Sequence, residues 1–459
     1  METRPSALPE QTHILSLAER RARGRALRER CARKDQAAWN ARPDRRDSIE
    51  ILIEQGKSRL QDLMPLRYAR MKASPFAFLR GAAAVMAADL AATPSTGLVV
   101  QAAGDCHCLN FGGFATPERR LAFDINDFDE TAVAPWEWDL KRLATSFAVA
   151  SRDALAKQGR LELAQTVARA YRETMARLAA TPVLDAWYEA RTIDDTRAAE
   201  AIGIGDRELK KADKALRHAV AMISLRHSSG TTPRIEDQPP LVYHPKPGET
   251  ESFHSAVKAM LADYEASLIP ERRALFQRYR LADAAYKVVG VGSVGTLCGA
   301  LLMLSGDGEA LYLQFKEATR SVLEAHAWPS PYAHHGERVV RGQRLLQAAS
   351  DIFLGFATGP TGRHMYVRQL RDAKIKPQVE TLSPRALRRY AATCGEVLAR
   401  AHARTGDAVV LSTYLGKGPT FDEAIGAFAL AYARQTELDH AALLQAVKDG
   451  RIPSAGQDS

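Results

Sequence analysis

Cysteine is scarce in this chain: five among 459 residues, at Cys31, Cys106, Cys108, Cys298 and Cys394. The number is odd and the spacing is not that of a disulfide framework, which excludes a stapled secreted scaffold. A reducing compartment fits, so a cytoplasmic protein is expected. No uninterrupted apolar run reaches the length of a membrane span, and the opening METRPSALPEQTH lacks the apolar core of a secretory signal. There is no Gly-x-Ser-x-Gly segment, which removes the nucleophile-elbow hydrolases. Cys-x-x-Cys is also absent, which removes a thioredoxin-type redox site. What is present, 46% hydrophobic and 25% charged residues with no internal repeat, is the composition of an ordinary globular chain long enough for two or more packed units.

Charge is unevenly placed. Of a formal +9, residues 1–34 contribute +5, with eight Arg and one Lys against four Glu. LAERRARGRALRERCARK is a basic helix by pattern. Such a face either meets an anionic partner such as nucleic acid or is simply solvated, and the solvated helix is expected.

Apolar spacing predicts helices over 47–63 (Ile49, Leu52, Ile53, Leu60, Leu63) and in PFAFLRGAAAVMAADLAA (Leu79, Ala82, Met86, Leu90). GLVVQAA (97–103) and RRLAFDIND (119–127) are strand-like, with the loop GDCHCLN between them. Helical periods then dominate to about Leu281, interrupted by the proline-rich TTPRIEDQPPLVYHPKPGET (231–250), expected as an exposed connection. From Ala284 the pattern becomes β: AAYKVVGVGSVGT, LCGALLML, the turn SGDGE and ALYLQFKEA, followed by a helix, ERVVRGQRLLQAASDIFLG, and a strand, RHMYVRQLRD. The expected organisation is a basic helical extension at 1–46, a mostly helical lobe at 47–281, a small β-rich lobe at 282–376, and C-terminal helices at 377–459 that pack on the helical lobe.

GDCHCLN crowds Asp105, Cys106, His107, Cys108 and Asn110 into one loop. A structural zinc site needs four convergent ligands, and alternate side chains on an extended segment diverge, with no second Cys/His cluster to supply the fourth. Phosphate chemistry suits the other polar residues better. Asp105 and Asn110 are followed on the next strand by Asp124, Asp127 and Asp129 in DINDFDE. Phosphoryl transfer calls for a carboxylate to orient the attacking hydroxyl and hard oxygen ligands for Mg²⁺.

GVGSVG places Gly290, Gly292 and Gly295 in a Gly-x-Gly-x-x-Gly spacing that unrelated folds use. A dinucleotide fold would require a helix after it, and only TLCGALLML separates Gly295 from the SGDGE turn, so a glycine hairpin over phosphates fits better. The next strand carries Lys316, which would meet the nucleotide phosphates and pair with a helix glutamate, Glu337 or alternatively Glu324.

GDCHCLN resembles the Gly-Asp-x-His-x-x-Asn catalytic loop of the aminoglycoside-phosphotransferase and choline-kinase branch of the protein-kinase-like superfamily. NDFDE resembles that branch's metal-binding segment, and PWEWDLKRLATS the helix that follows it. The resemblance implies ATP and Mg²⁺ as cofactors, Asp105 as catalytic base, and Asn110, Asp127 and Asp129 as metal ligands. It further implies His107 and Asp139 as structural supports, and Gly290, Gly292, Ser293, Gly295, Lys316 and Glu337 around the nucleotide. One departure is Ala103, where the branch carries His before Gly-Asp. Because the glycine hairpin follows the catalytic loop here, the implied fold is α+β, kinase-like and two-lobed, in circularly permuted order.

The blocks RYARMKASPFAFLRGAA, GDCHCLNFG, DINDFDETAVAPWEWDLKRLATS, VVGVGSVGT, LQFKEA, RVVRGQRLLQAASDIFLG, YVRQLRD and LARAHARTGD also resemble a bacterial family known as domain of unknown function 2252, whose name supplies no activity. The expectation is an ATP- and Mg²⁺-dependent phosphotransferase acting on a small-molecule hydroxyl or amine. Two alternatives remain: a nucleotide-binding pseudokinase, or a metal-dependent phosphohydrolase. Arg67, Arg70 and Arg80 could reach a phosphate or acidic substrate, although surface pairing is the usual role of such residues. His402 is expected to be packed or capping, and His334 and His335 exposed.

Overall fold

A computed structural model of the chain describes residues 14–193, 199, 210, 225–226, 233–288, 290, 292, 294–370, 375 and 377–455. Ser293 lies outside the described residues. The first helix, Leu17–Arg30, starts at a capping box in which Ser16 and Glu19 satisfy each other's backbone N–H groups. It lies against the helix Ala408–Leu415, and a side chain at its buried Gly24 would come within 2.5 Å of the Val410 carbonyl oxygen. Arg20 pairs with Asp407 at 2.7 Å. Arg28 and Arg33 donate to the carbonyls of Thr413, Tyr414 and Leu415 at the end of that helix, where unpaired acceptors and the negative dipole end favour cations. The expectation of a merely solvated helix is therefore corrected for one face, while Arg21, Arg23 and Arg25 remain exposed.

Between residues 99 and 135 four short strands pair in a nested way. β1 (Val99–Ala102), β2 (Phe111–Ala115), β3 (Leu121–Ile125) and β4 (Ala132–Pro135) form two antiparallel pairs, β1 with β4 and β2 with β3. Nesting has a geometric consequence: the β1–β2 loop, which holds Asp105, and the β3–β4 loop, which holds Asp127 and Asp129, emerge side by side. Only two of these strands are legible in the sequence. β2 and β4 are short, and FGGFA and AVAP carry little β-branched signal.

A short pair, β5 (Leu225–Arg226) with β6 (Arg234–Ile235), leads into a six-stranded antiparallel sheet. It comprises β7 (Val242–Tyr243), β8 (Tyr279–Lys287), β9 (Cys298–Ser305), β10 (Ala310–Glu317), β11 (Gly355–Thr358) and β12 (His364–Gln369), in the spatial order β11-β12-β10-β9-β8-β7. Period-two alternation in β10 sorts its side chains. Leu311, Leu313 and Phe315 enter a core with Phe253, Val257 and Tyr264 of the helix Thr250–Ser267. Tyr312, Gln314 and Lys316 take the other face, and Lys316 stands directly opposite Tyr366 of β12. The helical part has its own larger core, built by the helices Trp136–Ala150, Lys157–Leu178, Pro384–Ala403 and Thr420–Lys448 around Trp136, Tyr171, Phe147 and Phe428. The chain is thus mixed α and β. Among the described residues no helix is long and apolar enough to cross a membrane.

Several local expectations are corrected. The helix expected over 47–63 ends at Gly56, and a separate helix spans Met64–Lys72. The next expected helix is two, Pro75–Gly81 and Ala83–Ala91, broken at Ala82 (φ −112°, ψ 35°). The break has a cause: Arg142 and Arg67 take the carbonyls of Leu79 and Gly81, the acceptors at the end of the first segment. The helix beginning before Glu337 stops at Leu346, and β11 follows it. The proline-rich connection is not simply exposed, since it supplies β6 and the edge strand β7 with buried Ile235 and Val242. His334 and His335 are partly buried rather than exposed: His334 caps the helix His335–Leu346 by accepting from Glu337 N, and its ring stacks on His364 at 4.0 Å.

The sheet edge is closed by a charged clip. His244 lies between two carboxylates, with Nδ1 2.7 Å from Asp237 Oδ1 and Nε2 3.1 Å from Asp283 Oδ2. Asp283 is buried, accepts from Ile235 N at 2.7 Å, and is also faced by Arg234 and His254 at 3.9 Å. Hydrogen bonding to Asp283 outweighs partial burial and raises the His244 pKa above its ordinary value. Its contribution to stability is complete below about pH 6.5, the ordinary histidine value, and is lost as pH rises through the raised one. His244→Ala should accordingly lower the thermal midpoint more at pH 6 than at pH 9. An equal loss at both pH values, followed by circular dichroism, would refute the clip.

Candidate functional site

The loop after β1 is braced from the helix Trp136–Ala150. Asp139, in that helix's first turn, accepts from Ala103 N at 2.6 Å and from Gly104 N at 3.0 Å. His402, wholly buried, packs behind it, with Nε2 3.2 Å from Asp139 and Nδ1 2.9 Å from the Tyr171 hydroxyl. Gly104 has φ +89°, and a side chain there would meet the Glu130 carbonyl oxygen at 2.1 Å, so the turn into Asp105 admits only glycine.

Beyond the turn, backbone and side chains fix each polar group. His107 Nδ1 accepts from Leu109 N at 3.2 Å. Burial pushes the ring down to about 4, so it is neutral near pH 7 and carries its proton on Nε2, 3.8 Å from Asp105 Oδ2. Asn110 spends its amide nitrogen on the Asp105 carbonyl at 2.8 Å, which leaves its oxygen as the atom it can offer. Arg142, buried, binds Asp105 Oδ1 through Nε at 2.8 Å and through its terminal nitrogen, and reaches the Leu79 carbonyl at 2.9 Å. Cys106 and Cys108 are fully buried, and desolvation raises both thiols, Cys108 to about 12. They are packing residues with no thiolate to offer.

Asn126 N donates to the Asn110 carbonyl at 2.9 Å, joining the second loop to the first. Asp124 leaves the candidate set: it is buried and held by Arg400 at 2.5 and 2.6 Å. Asp129 accepts from the Tyr366 hydroxyl at 2.7 Å on one oxygen and pairs with Lys316 on the other. Burial alone would lower the Lys316 ammonium, but Asp129, Tyr366 and Asp127 outweigh it and hold the pKa above its ordinary value. Arg338, also buried, ties the same loop down through the carbonyls of Asp129 and Thr131.

The expected ion pair from Lys316 to a helix glutamate is replaced. Lys316 meets Asp129. Glu337 lies 3.4 Å from Arg341, and Glu324 accepts from Ser321 N in a capping box and faces Arg338 and Arg320. The reason is register: opposite Tyr366, Lys316 occupies the sheet face that meets the β3–β4 loop.

The glycine segment arrives at the same place. Gly290 and Gly292 line one cleft with Asp105, His107, Asn110, Asp127, Asp129 and Glu130, and Arg59, Arg80 and Thr296 complete it. A side chain on Gly292 would lie 3.9 Å from Asp105 Oδ2. The segment is clasped through its carbonyls: Gly290 by Arg70 at 2.5 Å, Gly292 by Arg67 at 2.9 Å and Val294 by Arg59 at 2.7 Å, while Gly295 accepts from Leu60 N at 2.8 Å. Arg67 is buried, and desolvation lowers it to about 9.

Two carboxylates and an amide oxygen are hard donors of the kind Mg²⁺ takes. Asp127, Asn110 and Asp129 fit such an ion by chemistry, with Asp129 already neutralised by Lys316. Among the described residues no group of three His, Cys, Asp or Glu is arranged to hold a metal ion. The sequence reading missed Arg142, Tyr366, Arg59, Glu130 and Arg338. Arg142 had a signal: it follows Asp139 by three positions, hence on the same helix face. Tyr366 had none, because strand register is not written in composition.

Residues 59–446 match the family described as "Uncharacterized protein conserved in bacteria (DUF2252)". No curated protein and no solved structure matches the chain.

Among the described residues Asp139 is the side-chain acceptor of two buried N–H groups, those of Ala103 and Gly104, so Asp139→Ala should cost about 2 kcal/mol or more, each orphaned donor being worth ~1–3 kcal/mol. Urea unfolding measures it, and a variant within about 0.5 kcal/mol of wild type, the range of ordinary surface substitutions, would contradict the bracing role.

Proposed function

We propose for this chain, which belongs to the DUF2252 family, that it binds ATP with Mg²⁺ and transfers the terminal phosphoryl group to a hydroxyl or amine of a small molecule, using a kinase-like two-lobed arrangement in permuted order. The observation that carries this reading is the shared cleft. Asp105, Asn110 and Asp127 come from one end of the chain, Gly290 and Gly292 from far along it, and both sets line a single opening. Lys316 and Asp129, 187 positions apart, are in contact at its edge.

Each residue has a role that its surroundings support. Asp105 keeps Oδ1 on Arg142 and has Oδ2 toward the cleft, where it can orient an attacking hydroxyl and receive its proton. His107 Nε2 lies 3.8 Å from Asp105 Oδ2, and its buried ring packs beside the carboxylate. Asn110 and Asp127 are the oxygen donors for the metal, which when bound would neutralise charge on the phosphates. Lys316, kept cationic by Asp129, supplies positive charge beside it. Arg70, Arg67 and Arg59 hold the carbonyls of Gly290, Gly292 and Val294, which fixes the segment beside the cleft, where backbone N–H groups of such a turn would receive an anion.

One observation favours a second reading, nucleotide binding without turnover. Arg142, buried, occupies Asp105 Oδ1 with two of its nitrogens, an ion pair that equally suits a carboxylate kept for structure. Phosphate release and transfer distinguish the two. Asp105→Ala should abolish any turnover while keeping nucleotide binding. If wild type releases no phosphate in the presence of candidate acceptors, the binding reading stands.

Mg-ATP at about a hundred times its Kd should stabilise the protein by about 2.7 kcal/mol, a rise in thermal midpoint of about 2–4 °C. Lys316→Met, if folded by circular dichroism, should lose most of that rise. No rise in wild type, or the same rise in the variant, would end the proposal.

A further inference from the structure

Three arginines in one stretch of the chain have different fates. Arg67 is committed through its terminal nitrogens, which bond the carbonyls of Gly292 and Gly81 and Gln55 Oε1, each at 2.9 Å, although its Nε is buried without a partner. Arg70 holds the Gly290 carbonyl. Arg80 lines the cleft but has no hydrogen bond or ion pair with any described residue, and its Nε is buried without a partner. Its guanidinium carbon lies 6.0 Å from the centre of the Phe76 ring. Phe76 meets the His107 ring edge-on at 6.4 Å, and His107 Nε2 faces Asp105. Arg80 is therefore held on an apolar platform on the Asp105 side of the cleft, its donors unspent.

A half-buried guanidinium without an acceptor is costly, because its desolvated N–H groups are unpaired. Its planar fork suits a carboxylate or phosphate, which it can bind through two parallel hydrogen bonds. The rest of the cleft makes that partner specific. Asp105, Asp127, Asp129, Glu130 and Glu317 all line it, so an anionic molecule is repelled except where a cation receives it. Arg59, the other cleft arginine, is already bonded to Val294 O. In the phosphotransferase reading the nucleotide phosphates would be received by Lys316 and the glycine segment, which leaves Arg80 as the cleft cation with nothing assigned to it.

We propose that the acceptor is an acidic small molecule, carrying a carboxylate or phosphate in addition to its reacting hydroxyl or amine, and that Arg80 binds this anionic group beside Asp105. The inference rests on the phosphotransferase reading but is tested without nucleotide. Binding of malonate and of inorganic phosphate to the full-length protein is measured by calorimetry, for wild type, Arg80→Gln and, as a control on the exposed surface, Arg21→Gln. The expected result is that Arg80→Gln weakens malonate at least tenfold and Arg21→Gln leaves it within about twofold, the loss of a charge-assisted pair being worth a factor of about ten or more. Arg80→Gln should also keep the thermal rise with Mg-ATP, which shows that the variant is folded and that its nucleotide site is intact. The proposal is overturned if wild type binds neither probe, or if malonate binding is the same in Arg80→Gln. It is also overturned if Arg80→Gln removes the Mg-ATP rise while malonate binding persists, since the arginine would then serve the nucleotide. A wild type that binds malonate through Arg80 yet shows no Mg-ATP rise would sink the phosphotransferase reading and leave an anion site standing.

Discussion

Asp129 accepts from two directions, Lys316 on one oxygen and Tyr366 on the other, and the arrangement of the cleft depends on that contact. Lys316 and Tyr366 are opposite each other in adjacent strands, so sheet register delivers both to one carboxylate. Removing one partner of such a buried pair leaves an uncompensated charge, which is costly, whereas the intact pair is close to neutral in stability. Its effect is on position: it fixes where the six-stranded sheet meets the β3–β4 loop. Arg338 reinforces the junction from the helix His335–Leu346 by holding the carbonyls of the same loop.

Backbone carbonyls captured by arginines recur through the molecule. Arg59, Arg67 and Arg70 hold the glycine segment, Arg142 and Arg67 end the helix Pro75–Gly81, and Arg28 and Arg33 close the helix Ala408–Leu415. Guanidinium groups suit the task because they offer several donors in a rigid fork and keep their charge when partly buried. The basic character of the N-terminal stretch thus has a partly internal use. Against this pattern Arg80 stands out, because it lies among the same elements and has no hydrogen-bond acceptor among the described residues.

Much of the candidate site could be read from spacing. Asp105, Asn110 and Asp127 were singled out by residue type and spacing and line one cleft, and the glycine segment was placed as a hairpin because its strand, turn and strand neighbours excluded a helix. The convergence of the two loops was not legible, since it comes from the nested pairing of β1 with β4 and β2 with β3, two of which strands carry weak patterns. The partner of Lys316 was misassigned to a helix glutamate because the sheet face it occupies depends on how the strand packs against a distant loop. The helix expected to run unbroken through Ala82 failed for a related reason: its carbonyls are taken by side chains from elsewhere in the chain, information no local window contains. The cysteines of GDCHCLN, the most conspicuous residues of the loop, proved to be buried packing, and the polar pair beside them faces the cleft.

The central claim is that the glycine segment and the two acidic loops jointly hold a nucleotide and its metal. A crystal structure of the protein with Mg²⁺ and a non-hydrolysable ATP analogue tests it most directly. The account predicts phosphates between Gly290–Gly295 and Lys316, with the metal on Asp127 and Asn110. Nucleotide found instead in the cavity beside Trp39 and His326, or in the groove under Trp187, with the cleft at Asp105 empty, would contradict it.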